Sequence, residues 1–311
     1  MMKKYSRINE RRSATCPLCS GKNVTIVGKP IIEEKVSSII RKDYDVLECL
    51  NCLLYFVFPD IDLTETEWSM LYGTEYFAEM TSWHARSRQR DRMERLNWIR
   101  EAFSGDIKDF LDIGCGEGYI LIDARRRGWR AVGIDITDYR IPDANTNGIE
   151  FFQGNIYDKS FPGCSFDGIY LDSVLEHVLD PVKLVKEIRR ILRPGGVLYV
   201  GVPNEDSLIN DFKNVVYHLA GRKNVSPRIK PFKSPYHVVG FTEKSFGKIF
   251  NNNGFEFVRF RNFSGPRELT KFRPFTRPFM IHFMLLPLHW ASVPMKKMVY
   301  MDAIIKKFDL Q

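Results

Sequence analysis

"FLDIGCGEGY", Phe110 to Tyr119, limits the folds open to this chain more than any other segment. An apolar run ends at Asp112–Ile113, glycines follow at 114, 116 and 118, and a helical pattern begins directly after them. Glycine there lets the backbone turn sharply from strand to helix and lets a ligand approach the main chain. The rhythm then continues: "RAVGIDI", "IEFFQGNI", "SFDGIYLDSVLEH" and "GGVLYVGVP" read as strands. "YILIDARRRG", closed by Gly128, and "PVKLVKEIRRIL", with Pro181 in its first turn, read as helices between them. Apolar strands alternating with helices imply an α/β fold, a Rossmann-like, doubly wound and mostly parallel sheet buried on both faces.

Spacing and charge narrow what the loop can hold. A dinucleotide pyrophosphate asks for G-x-G-x-x-G at a helix N-terminus. This loop reads G-x-G-x-G, with Tyr119 at the dinucleotide's third glycine position. Asp112 and Glu117 flank it and would repel a pyrophosphate. They suit a ligand that presents an ammonium and a sulfonium, as S-adenosylmethionine does. Asp135 ends the next strand in "VGIDIT", where a carboxylate accepts both hydroxyls of a ribose, a feature NAD-binding chains share.

With these segments in order, residues 64–263 resemble the class I S-adenosylmethionine-dependent methyltransferases. "LDIGCGEG" is similar to that family's first motif and "VGIDIT" to its second. "QGNIYD" is similar to its adenine-contact motif, with Asn155 where many relatives have Asp. "FDGIYLDSVLEHV" resembles the fourth strand and its loop, and "LRPGGVLYVGVPN" the fifth strand. The resemblance implies a seven-stranded sheet and methyl transfer from S-adenosylmethionine. By position it puts Gly114, Cys115, Gly116 and Gly118 along the methionine part and Asp135 and Ile136 at the ribose. Asn155 and Ile156 would flank the adenine, and Leu171 and Asp172 would lie under the sulfonium.

Methyl transfer is an in-line displacement at an already activated carbon, so the protein positions the nucleophile and removes a proton where needed. His177 follows the fourth strand, on the carboxyl edge where open α/β sheets bind ligands. His237, in "SPYHVVGFT", resembles a histidine that relatives carry before the helix after their insertion. Either is a candidate general base, with Tyr236 as a substitute, and either can equally hold a loop. Ubiquinone-pathway O-methyltransferases resemble this region and carry E-x-x-E-H, which can hold magnesium. Here Ser173 replaces the first glutamate, which removes a charge and a ligand, so no metal is expected at Glu176 and His177.

Cys16 and Cys19 in "CPLC" and Cys49 and Cys52 in "CLNC" form C-x2-C-x29-C-x2-C, with strand-like "NVTIV" and "YDVLEC" between. Two such knuckles match a closed tetrahedral zinc site with no open position for catalysis. The strand-to-helix context of a redox C-x-x-C is missing. A zinc ribbon ahead of a class I methyltransferase resembles a bacterial subfamily acting on sugar nucleotides, glycans or secondary metabolites.

The net charge of +8 is concentrated late: residues 211–278 hold 14 Lys and Arg against 4 Asp and Glu. We expect a basic lid at about 206–240, with Lys213, Arg222, Lys223, Arg228, Lys230 and Lys233 available to a small-molecule or glycan acceptor bearing phosphate. The alternative is an RNA methyltransferase gripping nucleic acid, but residues 1–62 lack the basic and aromatic interleaving that needs. "RDRMERLNWIREAF" puts Met93, Leu96, Ile99 and Phe103 on one helix face with its arginines on a solvated one. "PFMIHFMLLPLHWASVPM" is uncharged but holds Pro287 and Pro294, so it reads as a buried or interfacial helix rather than a span. With Arg273, Arg277 and Trp290 at its borders, 272–294 is a candidate peripheral membrane contact. "MMKKYSRINERR" lacks a signal peptide's apolar run, so a reducing, cytoplasmic setting is expected. The expected organisation is a zinc ribbon at 1–62, a helical connection at 63–105 and the methyltransferase domain at 106–311.

Overall fold

The computed structural model describes residues 14–72, 89–145, 148–222, 224–263 and 273–308. Its central sheet is built from β4 (Asp109–Ile113), β5 (Arg130–Asp135), β6 (Ile149–Gln153), β7 (Phe166–Asp172), β8 (Leu192–Pro203), β10 (Phe255–Phe263) and β11 (Tyr300–Lys307). The spatial order is β10-β11-β8-β7-β4-β5-β6. Only β11 opposes its neighbours; β6, β5, β4, β7 and β8 pair in parallel. Successive residues Phe110–Leu111, Ala131–Val132 and Leu198–Tyr199–Val200 are all inaccessible, so both faces of the sheet are covered. Strand order reverses between β4 and β7, and the crevice beyond their carboxyl ends is where such sheets bind ligands.

The helices follow local rules. Glycine at 118, in the left-handed region (φ 80°), turns the chain into α3 (Tyr119–Arg126). Asp180 caps α5 (Pro181–Ile191) by accepting from the Lys183 N–H, and Leu184, Val185, Ile188 and Ile191 make its buried stripe. The N-terminal connection holds α1 (Glu65–Leu71) and α2 (Gln89–Ala102); the part of the expected helical stretch between them lies outside the described residues. "RPGG" does not precede β8 as a separate turn. It lies within the strand span, where Gly195 takes φ 70° and the β7–β8 register shifts. Short α4 (Ile156–Lys159) follows β6, and α6 (Leu208–Leu219) follows β8. Helix α7 (Glu243–Asn251) stops before Gly254 at φ 74°, and "VYMDAIIKKF" supplies the closing strand β11. The apolar tail folds as two short helices, α8 (Arg277–Met284) and α9 (Leu286–Ser292), because Pro287 lacks the N–H that one continuous helix needs.

A second sheet has the order β1-β2-β3-β9, from β1 (Val24–Gly28), β2 (Asp45–Cys49), β3 (Tyr55–Phe58) and β9 (Val239–Gly240). Its fourth strand comes from the far side of the chain: Tyr55 pairs with Gly240 and Phe56 with Val239. Two further bridges, Lys29 to Val225 and Ile32 to Phe232, stitch the N-terminal segment to residues 224–240.

Candidate active site

The glycine loop closes over the end of β5. The N–H groups of Gly114 and Cys115 donate to the Ile134 carbonyl at 2.8 and 3.3 Å, and the Gly116 N–H donates to Asp135 Oδ2 at 2.8 Å. A β-carbon on Gly114 would sit 2.4 Å from Val174 Cγ2, so only glycine lets the loop pass that close to the turn after β7. Asp112 is buried beneath the loop. Burial raises its carboxyl well above the usual range, with Asp135 and Asp172 adding like charge. Burial also raises Asp135, against the N–H bonds it accepts. The place is therefore short of positive charge, which fits a cationic ligand end. Cys115 is buried, and its Sγ would lie 3.0 Å from a β-carbon at position 133; it packs the loop onto β5.

The other positions carried over from the resemblance divide. Ile136 is exposed at the loop's rim and Ile156 is buried. Asn155 Oδ1 accepts from the Tyr157 and Asp158 N–H groups, so that oxygen caps α4. Leu171 has no accessible surface and sits in the core. Asp172 is held from three sides: Arg95 donates to Oδ2 at 2.5 Å, Tyr170 to Oδ2 at 3.1 Å and Tyr300 to Oδ1 at 2.8 Å. A β-carbon at Gly201 would collide with Asp172 Oδ1 at 2.4 Å, so that glycine makes room for the carboxylate.

Arg95 corrects the reading of α2. Leu96 and Ile99 are buried as the pattern requires, yet Met93 is partly exposed and Arg95 is enclosed rather than solvated. Its guanidinium lies 5.0 Å over the Tyr199 ring and 3.8 Å from Asp302. Arg261 also binds Asp302, at 2.6 and 3.0 Å, and so balances that buried carboxylate. The desolvation of Arg95 is outweighed by the surrounding Asp172 and tyrosines, which hold it charged. Sequence gives little warning of this, because Arg92 and Arg100 stand near it on the same helix.

Beyond the loop, the structure brings His177 and His237 together. Their ring centroids are 5.0 Å apart at 82°, and Tyr72 hydroxyl lies 3.0 Å from His177 Nδ1. Burial pushes His177 down to about 4 and His237 well below the ordinary imidazole range, His237 further opposed by His177 and Lys230. Both rings are therefore neutral near neutral pH. The His177 ring is engaged by the Tyr72 hydroxyl and the Tyr236 main chain, whereas the His237 ring has no hydrogen bond among the described residues. Tyr236 is fully enclosed, edge-on to Tyr72 with centroids 5.6 Å apart. A side chain with no accessible surface packs rather than meets an acceptor, which leaves the two histidines as candidate bases. Ser173 (φ 57°) and Tyr236 (φ 62°) both hold left-handed backbone beside this cluster, a strain that gathers at functional sites.

Glu176 joins the histidines. Its carboxylate is buried, neither oxygen has a hydrogen-bond partner among the described residues, and Oε1 lies 3.9 Å from His237 Nε2. Burial raises its carboxyl well above the usual range, with Asp172 and Glu205 adding to that. One ligand atom each from Glu176, His177 and His237 falls within 4.8 Å of the others, so the three can share one divalent cation. Glu176 and His177 are neighbours in the sequence, whereas His237, sixty residues on, joins them only in the fold as a candidate third ligand.

The basic segment at 206–240 is less free than its composition suggests. Arg228 donates to the Glu205 carbonyl and to Asp211 Oδ1, and stacks 5.2 Å over Tyr55. Lys213 donates to Asn210 Oδ1 at 3.2 Å, and Lys223 lies outside the described residues. Lys230 is half-buried, and burial lowers its ammonium below the usual lysine range. Its carbonyl accepts from the Lys233 N–H, and its ammonium acts on His237 electrostatically.

The four cysteines form a second candidate site. Cys16 Sγ lies 3.6 Å from Cys52 Sγ, Cys19 Sγ lies 3.5 Å from Cys49 Sγ, and all four sulfurs fall within 4.8 Å of one another. Sulfurs bound to zinc at about 2.3 Å in a tetrahedron stand roughly 3.8 Å apart, so the set fits that ion. The knuckles match each other: the Cys16 carbonyl accepts from Ser20 and the Cys49 carbonyl from Leu53, both left-handed residues.

Residues 111–200 match the family model described as a methyltransferase domain. That stretch is similar to a methyltransferase domain. It holds the glycine loop, Asp135, Asp172, Glu176 and His177, while His237 and the four clustered cysteines lie outside the matched range. An uncharacterized 37.1 kDa protein in transposon TN4556 of Streptomyces fradiae is 35% identical over 127 residues, 38% of this chain and 37% of that one. A protein of Mycolicibacterium smegmatis named as a probable S-adenosylmethionine-dependent methyltransferase is 33% identical over 31% of this chain and 38% of its own. The ubiquinone biosynthesis O-methyltransferase of Dechloromonas aromatica is 30% identical over 36% of this chain and 51% of its own. The chain thus spans between about two-fifths and half the length of these relatives.

Proposed function

We propose that this protein transfers a methyl group from S-adenosylmethionine to a small anionic acceptor, such as a nucleotide sugar, a glycan or glycolipid precursor, or a secondary metabolite. The observation that carries the reading is the loop at the β4–β7 switch point: three left-handed glycines, a carboxylate at Asp135 tied to the Gly116 N–H, and buried Asp112 beneath. Asp112 with Gly114, Cys115, Gly116 and Gly118 would hold the methionine part. Asp135 and Ile136 would hold the ribose, Asn155 and Ile156 would flank the adenine, and Leu171 and Asp172 would lie under the sulfonium end. When bound, S-adenosylmethionine supplies a methyl already activated for displacement. The protein's own part is to orient the acceptor, exclude water and accept its proton at a neutral histidine, His237 or His177. Lys230 beside His237 offers the acceptor's phosphate a charge where the proton is taken.

On this reading residues 1–62 fold around one structural zinc held by Cys16, Cys19, Cys49 and Cys52. Residues 63–105 connect that module to the catalytic domain at 106–311, and 206–240 form the lid. The RNA alternative gains no support from the matched family or the named relatives.

The unpartnered carboxylate of Glu176 favours one variation, in which Glu176, His177 and His237 hold a divalent cation that binds the acceptor oxygen. Two imidazoles and a carboxylate suit a transition metal better than magnesium. Metal analysis separates the readings: about one zinc per chain for the cysteines alone, a second metal lost in His237→Ala for the variation. The function itself is tested by labelled methyl transfer into nucleotide sugars, lipid-linked glycans and RNA. Label in a phosphate-bearing small acceptor is expected, and label only in RNA would reverse the assignment.

A further inference from the structure

One face of the molecule is apolar where solvent should be. Helix α9 packs on α6 and on α8. Lys297 locks the frame: its ammonium binds Asp206 and Asp211, both at 3.1 Å, and its carbonyl accepts from the Leu208 N–H. From this frame Val215, Leu219, Phe283, Met284, Trp290 and Val293 point outward, with Leu219 80%, Met284 76% and Trp290 65% exposed. A lone exposed leucine means nothing, but so many large apolar side chains on three adjoining helices mark an interaction surface.

Charge identifies the partner. Residues 212–222 and 273–296 contain no Asp or Glu, while Arg222, Arg273, Arg277 and Lys296 are exposed along them. An apolar face bordered by cations and a tryptophan, with no carboxylate, complements the headgroups and acyl boundary of an anionic bilayer. A second copy fits poorly, because an isologous interface would gather the same cations from both chains. Crossing the bilayer is not at issue, since no helix among the described residues is long and apolar enough.

We propose that the joined face of α6, α8 and α9 docks onto an anionic phospholipid surface, with the apolar side chains at the acyl boundary and the four cations among the headgroups. This goes beyond the methyltransferase reading and stands without it. The test is co-sedimentation of the full chain with vesicles of phosphatidylcholine alone or mixed with phosphatidylglycerol. Binding to the mixed vesicles is expected to be on the order of tenfold tighter or more, and to weaken in high salt. Leu219→Ser/Met284→Ser/Trp290→Ser should abolish it, and Arg273→Glu/Arg277→Glu should reduce it with apolar residues intact. These positions are exposed, so both variants should keep the wild-type melting temperature. No binding, equal binding to both vesicle types, or undiminished binding by the triple variant would overturn the proposal. So would a wild-type dimer in sedimentation velocity that the triple variant converts to monomer without any lipid binding.

Discussion

Asp112 concentrates the conflict between stability and function at the scale of single residues. Its carboxyl is raised above the ordinary range by burial and by two neighbouring carboxylates, so the fold resists its ionisation. A raised acid contributes stability that is present at low pH and lost as pH rises through its folded value. Asp112→Asn should therefore melt higher than wild type at pH 8 and at about the same temperature near pH 4, by scanning calorimetry. It should also bind the cofactor less well; a variant that melts lower at pH 8 would contradict the assigned cause. Arg95 makes the opposite case. Arg95→Met leaves Asp172 without its main counter-charge in a mostly enclosed setting, a loss of about 3 kcal/mol in urea unfolding. A loss under about 1 kcal/mol would mean that Tyr170 and Tyr300 satisfy Asp172 alone. The glycines and Asp135 were readable in the sequence because their geometry is local. Arg95 was not, because burial of one arginine among several is decided by strands that arrive much later in the chain.

Among elements, the pairing that matters most is β3 with β9. Two residues of strand, Val239 and Gly240, directly follow the His237 segment and complete the sheet of the cysteine module. Folding of that module therefore bears on the position of a candidate base, although all four clustered cysteines lie in the first 52 residues. Cys49→Ser/Cys52→Ser should raise amide exchange across 236–241 by an order of magnitude or more, while the glycine loop stays as protected as before. Equal loosening of both would show that the module holds up the whole domain rather than the lid. No periodicity could announce a strand as short as β9, whose partner lies far away in sequence. The long strands were legible because burial on both faces writes itself as continuous apolar runs. The same distance in sequence hid the meeting of Glu176 and His177 with His237.

For the molecule as a whole, a doubly wound sheet positions one loop, and later insertions build what surrounds it. The cysteine module pairs with residues 225–240, which carry His237 and β9, while α6, α8 and α9 present exposed apolar side chains. Lid composition had suggested six cations open to phosphate; of these the structure commits Arg228 to Asp211 and Glu205 and leaves Lys230 beside His237. Composition shows how much charge a segment holds, but not how much of it the fold has already paired. The central claim is that the glycine loop and Asp135 form a site for S-adenosylmethionine, and it can be tested without knowing the acceptor. Titration calorimetry with S-adenosylhomocysteine should show about one site per chain in the wild-type protein and no detectable heat of binding in Asp135→Ala. No binding to the wild type, or the same affinity in both proteins, would contradict it.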